Sequence, residues 1–246
     1  MSPRTNSYGQ PIGDAVANWT ERPRPPRTRM QGRHCRLEPL SAARHAEGLH
    51  AAYARDADGR HWTYLPYGPF GSAAEYASFV RGIEKSADPQ FFAIVDEATS
   101  QPLGVASYLR IDPSMGVVEV GHLRFSSLLQ GTTAASEAMY LMMRRAFEEL
   151  GYRRYEWKCD ALNAPSRAAA ERFGFQYEGT FRNALVTKGR NRDTAWYSII
   201  ASEWPAVQEA FEAWLAPANF DAAGKQVARL GDRMRDAFAR AGLRRG

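Results

Sequence analysis

Cysteine is scarce in this chain of 246 residues, which holds only Cys35 and Cys159. Two thiols are too few for a disulfide framework or a zinc cluster, so no metal is expected and a reducing cytoplasm is the expected compartment. Long apolar runs are missing as well. Stretches such as Phe91–Val95 fall far short of the ~20 residues of a membrane span, and no charged-then-apolar leader is visible. Neither common phosphate-binding fingerprint occurs, because the Gly-x-x-x-x-Gly-Lys and Gly-x-Gly-x-x-Gly spacings are both absent. What is present is an ordinary globular composition, 44% hydrophobic, 12% aromatic and 24% charged, in a chain long enough for a sizeable core.

The net charge of +5 invites a nucleic-acid reading, but the excess sits at the ends. Residues 1–33 carry +4 and residues 217–246 another +4, leaving −3 on residues 34–216. A body with that balance offers no phosphate-tracking surface, and no helix-turn-helix, finger or aromatic RNA signature accompanies it. Specific nucleic-acid binding and membrane association are therefore not expected.

Three regions follow from the pattern. Residues 1–33 hold five of the 14 prolines and no apolar periodicity, and read as a basic extended arm. Residues 34–204 carry alternating strand and helix signals, and 205–246 read as a helical extension. Strands are expected at 35–38, 91–96, 102–111, 117–125, 155–159, 175–181 and 194–200. Helices are expected at 41–55, 72–83 (opened by a Ser72/Glu75 capping box), 134–150, 165–173, 204–215 and 222–241. Trp62–Gly71 is an aromatic loop broken by proline and glycine, and Lys188–Asp193 a charged hairpin loop turned by Gly189. The fold class is mixed α/β (α+β), with an antiparallel front half and one strand–helix–strand crossover that must supply a parallel pair.

The chemistry gathers at two strand-to-helix junctions. Gln130-Gly131-Thr132-Thr133-Ala134-Ala135-Ser136 places small and hydroxyl residues at a helix start, where unblocked N–H groups and the macrodipole favour an anion such as a pyrophosphate. Asn163-Ala164-Pro165-Ser166, with Gly174-Phe175 beyond, opens and closes the next crossover helix. In these motifs the sequence resembles the GNAT superfamily of acyl-CoA-dependent N-acyltransferases. That family carries Gln/Arg-x-x-Gly-x-Gly/Ala before its third helix and Asn-x-x-Ser before a helix ending in Gly-Phe. Glu119-Val120-Gly121, Ser136-Glu137-Ala138 and Leu150-Gly151-Tyr152 are similar to its RimJ/RimL-like branch, whose members acetylate protein N-termini.

The resemblance covers about residues 34–204. It implies the GNAT fold, a mainly antiparallel mixed sheet with a splayed central parallel pair and flanking helices. It implies acetyl-CoA, or another acyl-CoA, as cosubstrate. The backbone from Gln130 through Gly131, Thr132, Thr133, Ala134 and Ala135 to Ser136 would hold the pyrophosphate. Leu123 and Phe125 would offer backbone groups to pantetheine, with Asn163, Ser166 and Arg167 near the coenzyme. By residue type alone, Asn163 and Ser166 can equally serve their own helix start, and Arg167 can simply be solvated. Glu119 and His122 are the candidate bases. An unbroken strand points them to opposite faces, so one site requires a bulge between them; the alternative is that Glu119 pairs with an arginine and His122 fills a half-buried sheet position.

Two positions depart from the family. Thr133 stands where a glycine is usual, and Ala170 where many members carry a tyrosine acid. A thiol with pKa ~8.5 leaves without obligatory protonation, so the second departure is survivable; Tyr177, Tyr197 or water are the remaining proton donors. The expected reaction moves an acetyl or other short acyl group to a primary amine, on a small molecule or a protein N-terminus, by direct attack in a ternary complex. The alternative is a catalytically weak GNAT-like module that binds CoA or a partner. The terminal helix can pack on its own body or form a homodimer contact.

Overall fold

The computed structural model describes residues 4–243. Eight strands form one sheet: β3 (Met30–Gln31), β4 (Cys35–Pro39), β5 (Gln90–Asp96), β6 (Pro102–Asp112), β7 (Val117–Phe125), β8 (Arg154–Asp160), β9 (Gln176–Thr187) and β10 (Arg190–Ile200), in the spatial order β3-β4-β5-β6-β7-β8-β10-β9. β7 and β8 run parallel and the other neighbours antiparallel. A short hairpin of β1 (Arg4–Thr5) and β2 (Pro11–Ile12) stands apart from the sheet. The helices are α1 (Ala42–Tyr53), α2 (Ala73–Ile83), α3 (Thr133–Arg144), α4 (Ala164–Arg172), α5 (Trp204–Leu215) and α6 (Leu230–Arg240).

Two apolar layers sandwich the sheet. Phe91, Ala93 and Val95 meet Leu49 and Tyr53 of α1 and Tyr76 and Val80 of α2. Phe92 and Ile94 point the other way, into the larger core made by α3, α5 and α6 with Val118, Val120, Tyr155 and Trp157. β5 is therefore apolar at successive positions because both its faces are covered. In β8, Tyr155, Trp157 and Cys159 turn to the large core while Glu156 and Lys158 alternate to the α1/α2 side.

Local chemistry sets the boundaries. Ser72 Oγ accepts from the Glu75 N–H at 3.1 Å, as the capping box predicts, while Glu75 Oε2 reaches one residue before the cap and accepts from the Gly71 N–H at 2.8 Å. The expected helix at 134–150 starts one residue earlier, and its last turn, 145–149, widens into a π-turn before Gly151 at φ 67°. Two segments differ from expectation. The terminal helix begins at Leu230, not 222, because Asp221 and Asn219 side chains bind the backbone of 223, 225 and 228 in a turn with Gly224 at φ 73°. Lys188–Asp193 is not a loop: β9 and β10 continue to a tight turn at Lys188-Gly189, so Arg190–Asp193 belongs to β10.

The last residues of the basic arm enter the sheet as β3, and Arg145 donates to the carbonyls of Thr28 and Arg29 at 2.9 and 3.0 Å. Glu137, buried in α3, accepts from the backbone N–H groups of Arg33, His34 and Cys35, which clamps the β3–β4 turn to the helix. A second buried carboxylate ties α1 to the loop after β7. Asp56 pairs with Arg124 and accepts from the Ser127 N–H at 3.0 Å, while the guanidinium lies 4.3 Å from the Tyr53 ring centre and 4.5 Å from that of Trp62. Both partners' side chains are 2% exposed, so removing one leaves a buried charge uncompensated. Asp56→Ala is expected to cost about 3–5 kcal/mol, read as a fall in Tm of roughly 10 °C; Asp56→Asn, which keeps the hydrogen-bond acceptor, should lose less.

Candidate active site

The parallel register runs from Val117 opposite Arg154 to Val120 opposite Trp157 and stops there. β7 continues to Phe125 and β8 to Asp160, so beyond Trp157 the two strands form a fork. α3 begins beyond the end of β7 and α4 beyond the end of β8. The two sequence motifs thus come to opposite sides of one gap.

On the β7 side, Gln130 Nε2 donates to the Phe125 carbonyl at 2.9 Å, and Gly131 adopts φ 74°. Thr132 caps α3, its hydroxyl accepting from the Ala135 N–H at 3.2 Å. The N–H groups of Thr133 and Ala134 lie in the first helical turn and have no intrahelical acceptor. Gly131 is exposed and Thr132 and Thr133 half-buried, whereas Ala134, Ala135 and Ser136 are buried. The Ser136 hydroxyl accepts from Arg172 at 3.2 Å. On the β8 side, Asn163 caps α4 through the Ser166 N–H at 3.2 Å, and Ser166 Oγ accepts from Trp157 Nε1 at 3.0 Å. Arg167 Nε donates to Tyr197 Oη at 3.1 Å, and that hydroxyl donates to Glu171 at 3.2 Å. These bonds make the tip of β8 and the first turn of α4 one rigid wall.

The base candidates share the α1/α2 face. Opposite Ala106, β7 spends two residues, His122 and Leu123, between the pairs Ser107–Gly121 and Val105–Arg124. That bulge, with His122 at φ 52°, brings His122 to the side of Glu119. His122 Nδ1 lies 3.1 Å from Tyr67 Oη, and the two rings stack at 5.6 Å with 3° between their planes. Burial, then the nearby charges of Arg110 and Arg192, lowers the His122 pKa to about 4. The Glu119 carboxylate accepts from Arg110 at 2.6 Å and Lys158 at 3.1 Å.

Several residues of this face were not singled out from sequence. Arg110 reaches Glu119 because β6 is irregular after Leu109 and Arg110 itself sits at φ 46°. Lys158, only 4% exposed, also pairs with Glu156 at 2.7 Å and lies 3.6 Å from the Trp196 ring centre. An open cavity of about 680 Å³ lies beside the β6–β7 turn, lined among others by Asp88, Arg110, Asp112, Glu156, Lys158 and Trp196; neither Glu119 nor His122 lines it. The alternation Tyr-Glu-Trp-Lys in β8 was the available signal: charges at every second position mark a face that is not plain core.

Ala170 and Tyr197 are fully buried in the large core, and Tyr177 is exposed and bonded to Thr180 at 2.8 Å. Burial raises the Tyr197 pKa, against the pull of Arg167. Among the described residues no cluster of three or more His, Cys, Asp or Glu side chains is placed to hold a metal, and no helix is long and apolar enough to cross a membrane.

Comparison with known proteins agrees with this arrangement. Residues 34–176 match the family model described as an acetyltransferase (GNAT) domain. The chain is 47% identical to a GCN5-related N-acetyltransferase from Brucella melitensis of known structure, over 89% of this chain and all of that one, with a TM-score of 0.87. YdaF of Bacillus subtilis, named as a ribosomal N-acetyltransferase, is 31% identical over 101 residues, which span 41% of this chain and 55% of that protein. The structure of RimL, a ribosomal L7/L12 alpha-N-protein acetyltransferase, shares the fold at a TM-score of 0.57 and 22% identity, over 69% of this chain and 91% of that one. The family match over residues 34–176 and the 47% identical structure, together with the forked parallel pair, place the chain in the GNAT acetyltransferase family.

Proposed function

We propose that the protein transfers an acetyl or other short acyl group from acyl-CoA to a primary amine by direct attack in a ternary complex. The observation that carries this reading is the parting of β7 and β8 after Val120–Trp157, with the α3 N-terminus beyond one prong. Pantetheine would enter the gap against the backbone of Leu123 and Phe125, and the N–H groups from Gly131 to Ala135 would meet the pyrophosphate. Asn163, Ser166 and Arg167 would shape the opposite wall. The amine nitrogen would add to the thioester carbonyl and release a proton to water, the C–S bond would break, and the thiolate would leave with its electron pair and later take up a proton from water. Positioning and polarisation of the carbonyl by backbone N–H groups then supply most of the rate.

The phosphate site has a test in which stability and binding separate. Thr133 is the first residue of α3 and half-buried. Thr133→Glu puts a negative charge where the helix dipole welcomes it and where a pyrophosphate would be repelled. Tm should hold or rise slightly, while acetyl-CoA affinity by calorimetry falls by at least about tenfold, or ~1.4 kcal/mol.

The acceptor chemistry follows from the neutral His122. With its pKa lowered to about 4, this imidazole stays uncharged at neutral pH and no proton-binding limb near its ordinary value of ~6.5 arises from it. An α-amine at ~7.8 is substantially unprotonated at neutral pH, whereas a lysine side chain at ~10.4 is not. The reading is therefore an α-amine. The expected kcat/KM rises with pH through the ionisation of the amine, near ~7.8 for a free peptide N-terminus. A peptide blocked at its N-terminus but carrying lysine should be used at least about tenfold less well.

The same shift has a consequence for stability. Folded His122 resists the proton that the unfolded chain takes up below ~6.5, so the protein loses stability as pH falls from about 6.5 toward about 4. The loss from this group is on the order of 3 kcal/mol once both forms are protonated. His122→Asn, which tolerates positive φ, should flatten the acid limb of Tm against pH.

One observation favours a second reading, a module that binds CoA without turnover. Glu119 is engaged by two cations, and no tyrosine stands at position 170. Thiol release from acetyl-CoA with a panel of free-amine peptides decides between the two.

A further inference from the structure

The connection between α1 and α2 spans the fork from one prong to the other. Toward β7, Tyr67 meets His122 at 3.1 Å, and Gln130 Nε2 lies 3.4 Å from His61 Nδ1. Toward β8, Tyr64 Oη donates to the Leu162 carbonyl at 3.1 Å, one residue before Asn163. The far end is fastened by the β9–β10 turn: Lys188 Nζ donates to the carbonyls of both Trp62 and Gly68 at 2.9 Å, and Arg190 donates to Thr63 at 3.1 Å. The apolar cluster that holds Trp62 and Phe70 contains no residue of β8, β9 or β10. The ties across the gap are therefore polar, and they exceed what a loop needs merely to cap α1 and α2.

The turn residue itself points the same way. Lys188 adopts φ 50° beside Gly189 at φ 72°, a two-residue hairpin geometry in which asparagine or glycine is favoured and lysine is not. The backbone accepts this strain with a side chain whose ammonium bridges two carbonyls of the facing loop. The site is exposed, so these bonds open and re-form readily instead of locking the loop permanently.

We infer that Lys188 is a positioning residue that holds the Trp62–Phe70 connection as a roof across the fork, closing the α1/α2 side of the thioester site to bulk water. This inference rests on the acyl-transfer reading for its place in catalysis, while the latch itself is a property of the chain alone. The roof would keep water from the thioester until an amine is seated.

The decisive variant is Lys188→Asn. It suits the turn better than lysine does, so a change in the roof cannot be blamed on a weakened hairpin. Amide hydrogen exchange at residues 63–68 should accelerate by about tenfold or more. Hydrolysis of acetyl-CoA without any amine should rise at least about threefold, while its Kd by calorimetry stays within about twofold. Lys188→Arg, which can still donate to both carbonyls, should restore slow exchange and low hydrolysis. Unchanged exchange at 63–68 in Lys188→Asn, or Lys188→Arg behaving like Lys188→Asn, overturns the latch. Accelerated exchange without increased hydrolysis overturns the water-excluding role. Failure of the unmodified protein to bind acetyl-CoA counts against the acyl-transfer reading instead, because exchange reports the latch with no coenzyme present.

Discussion

Neighbouring parallel strands tend to stay paired, because each backbone N–H or C=O left without a partner costs free energy when buried. In this sheet β7 and β8 separate after four registered pairs, and that separation is the constraint around which the rest is arranged. It is tolerated because each prong has another partner: β6 holds β7 through Phe125, and β10 holds β8 through Asp160. Half of the hydrogen-bonding capacity of each prong is thus satisfied on its outer side, and the inner edges remain open. The bulge at His122–Leu123 adds local twist to β7, and Trp157–Ser166 and Arg167–Tyr197 stiffen the other prong. A slot lined by backbone polar groups suits an extended, amide-bearing guest such as pantetheine.

The two faces of the fork divide the work by polarity. On one, Val118, Val120, Tyr155 and Trp157 pack in the large core and keep the strands in place. On the other, a row of alternating charges runs from Arg110 through Glu119 and Lys158 to Glu156, and on through Arg154 to Glu178. Buried charges of this kind add little net stability, since desolvation offsets much of the attraction. Their value is geometric: each carboxylate meets at least one cation, so the row holds one arrangement and does not collapse into apolar packing. A buried lysine held by two carboxylates and an indole ring is a fixed wall where a free lysine would be a flexible rod.

Much of this was legible in sequence because local signals agreed with tertiary need. The Ser72–Glu75 box, Gly151 after the Met-rich helix and Asn163-Ala-Pro-Ser166 before α4 each act within a few residues, and each appears where expected. The failures have physical causes. β9 and β10 beyond Phe181 and before Thr194 are exposed almost throughout, so no buried face imprinted an apolar alternation on them. α6 starts later than its apolar stripe suggests because Val227 continues the stripe of Leu230, Met234 and Phe238, while Asp221 and Asn219 bind the backbone in a competing turn that Gly224 completes at positive φ. Arg124 meets Asp56 across 68 residues, and no local pattern announces such a pair. The bulge that a site shared by Glu119 and His122 requires is present at His122–Leu123, although no residue spacing marks its position.

The absence of a tyrosine at position 170 becomes intelligible in this setting. A thiolate with a conjugate pKa of ~8.5 is a competent leaving group at neutral pH, so its protonation need not be concerted with bond cleavage. In the proposed reaction the demanding step would be attack by an uncharged amine, which would depend on which amine is admitted and on how much water accompanies it. An imidazole kept neutral by burial and by Arg110 and Arg192 adds no charge to repel an ammonium that must still shed its proton on the way in.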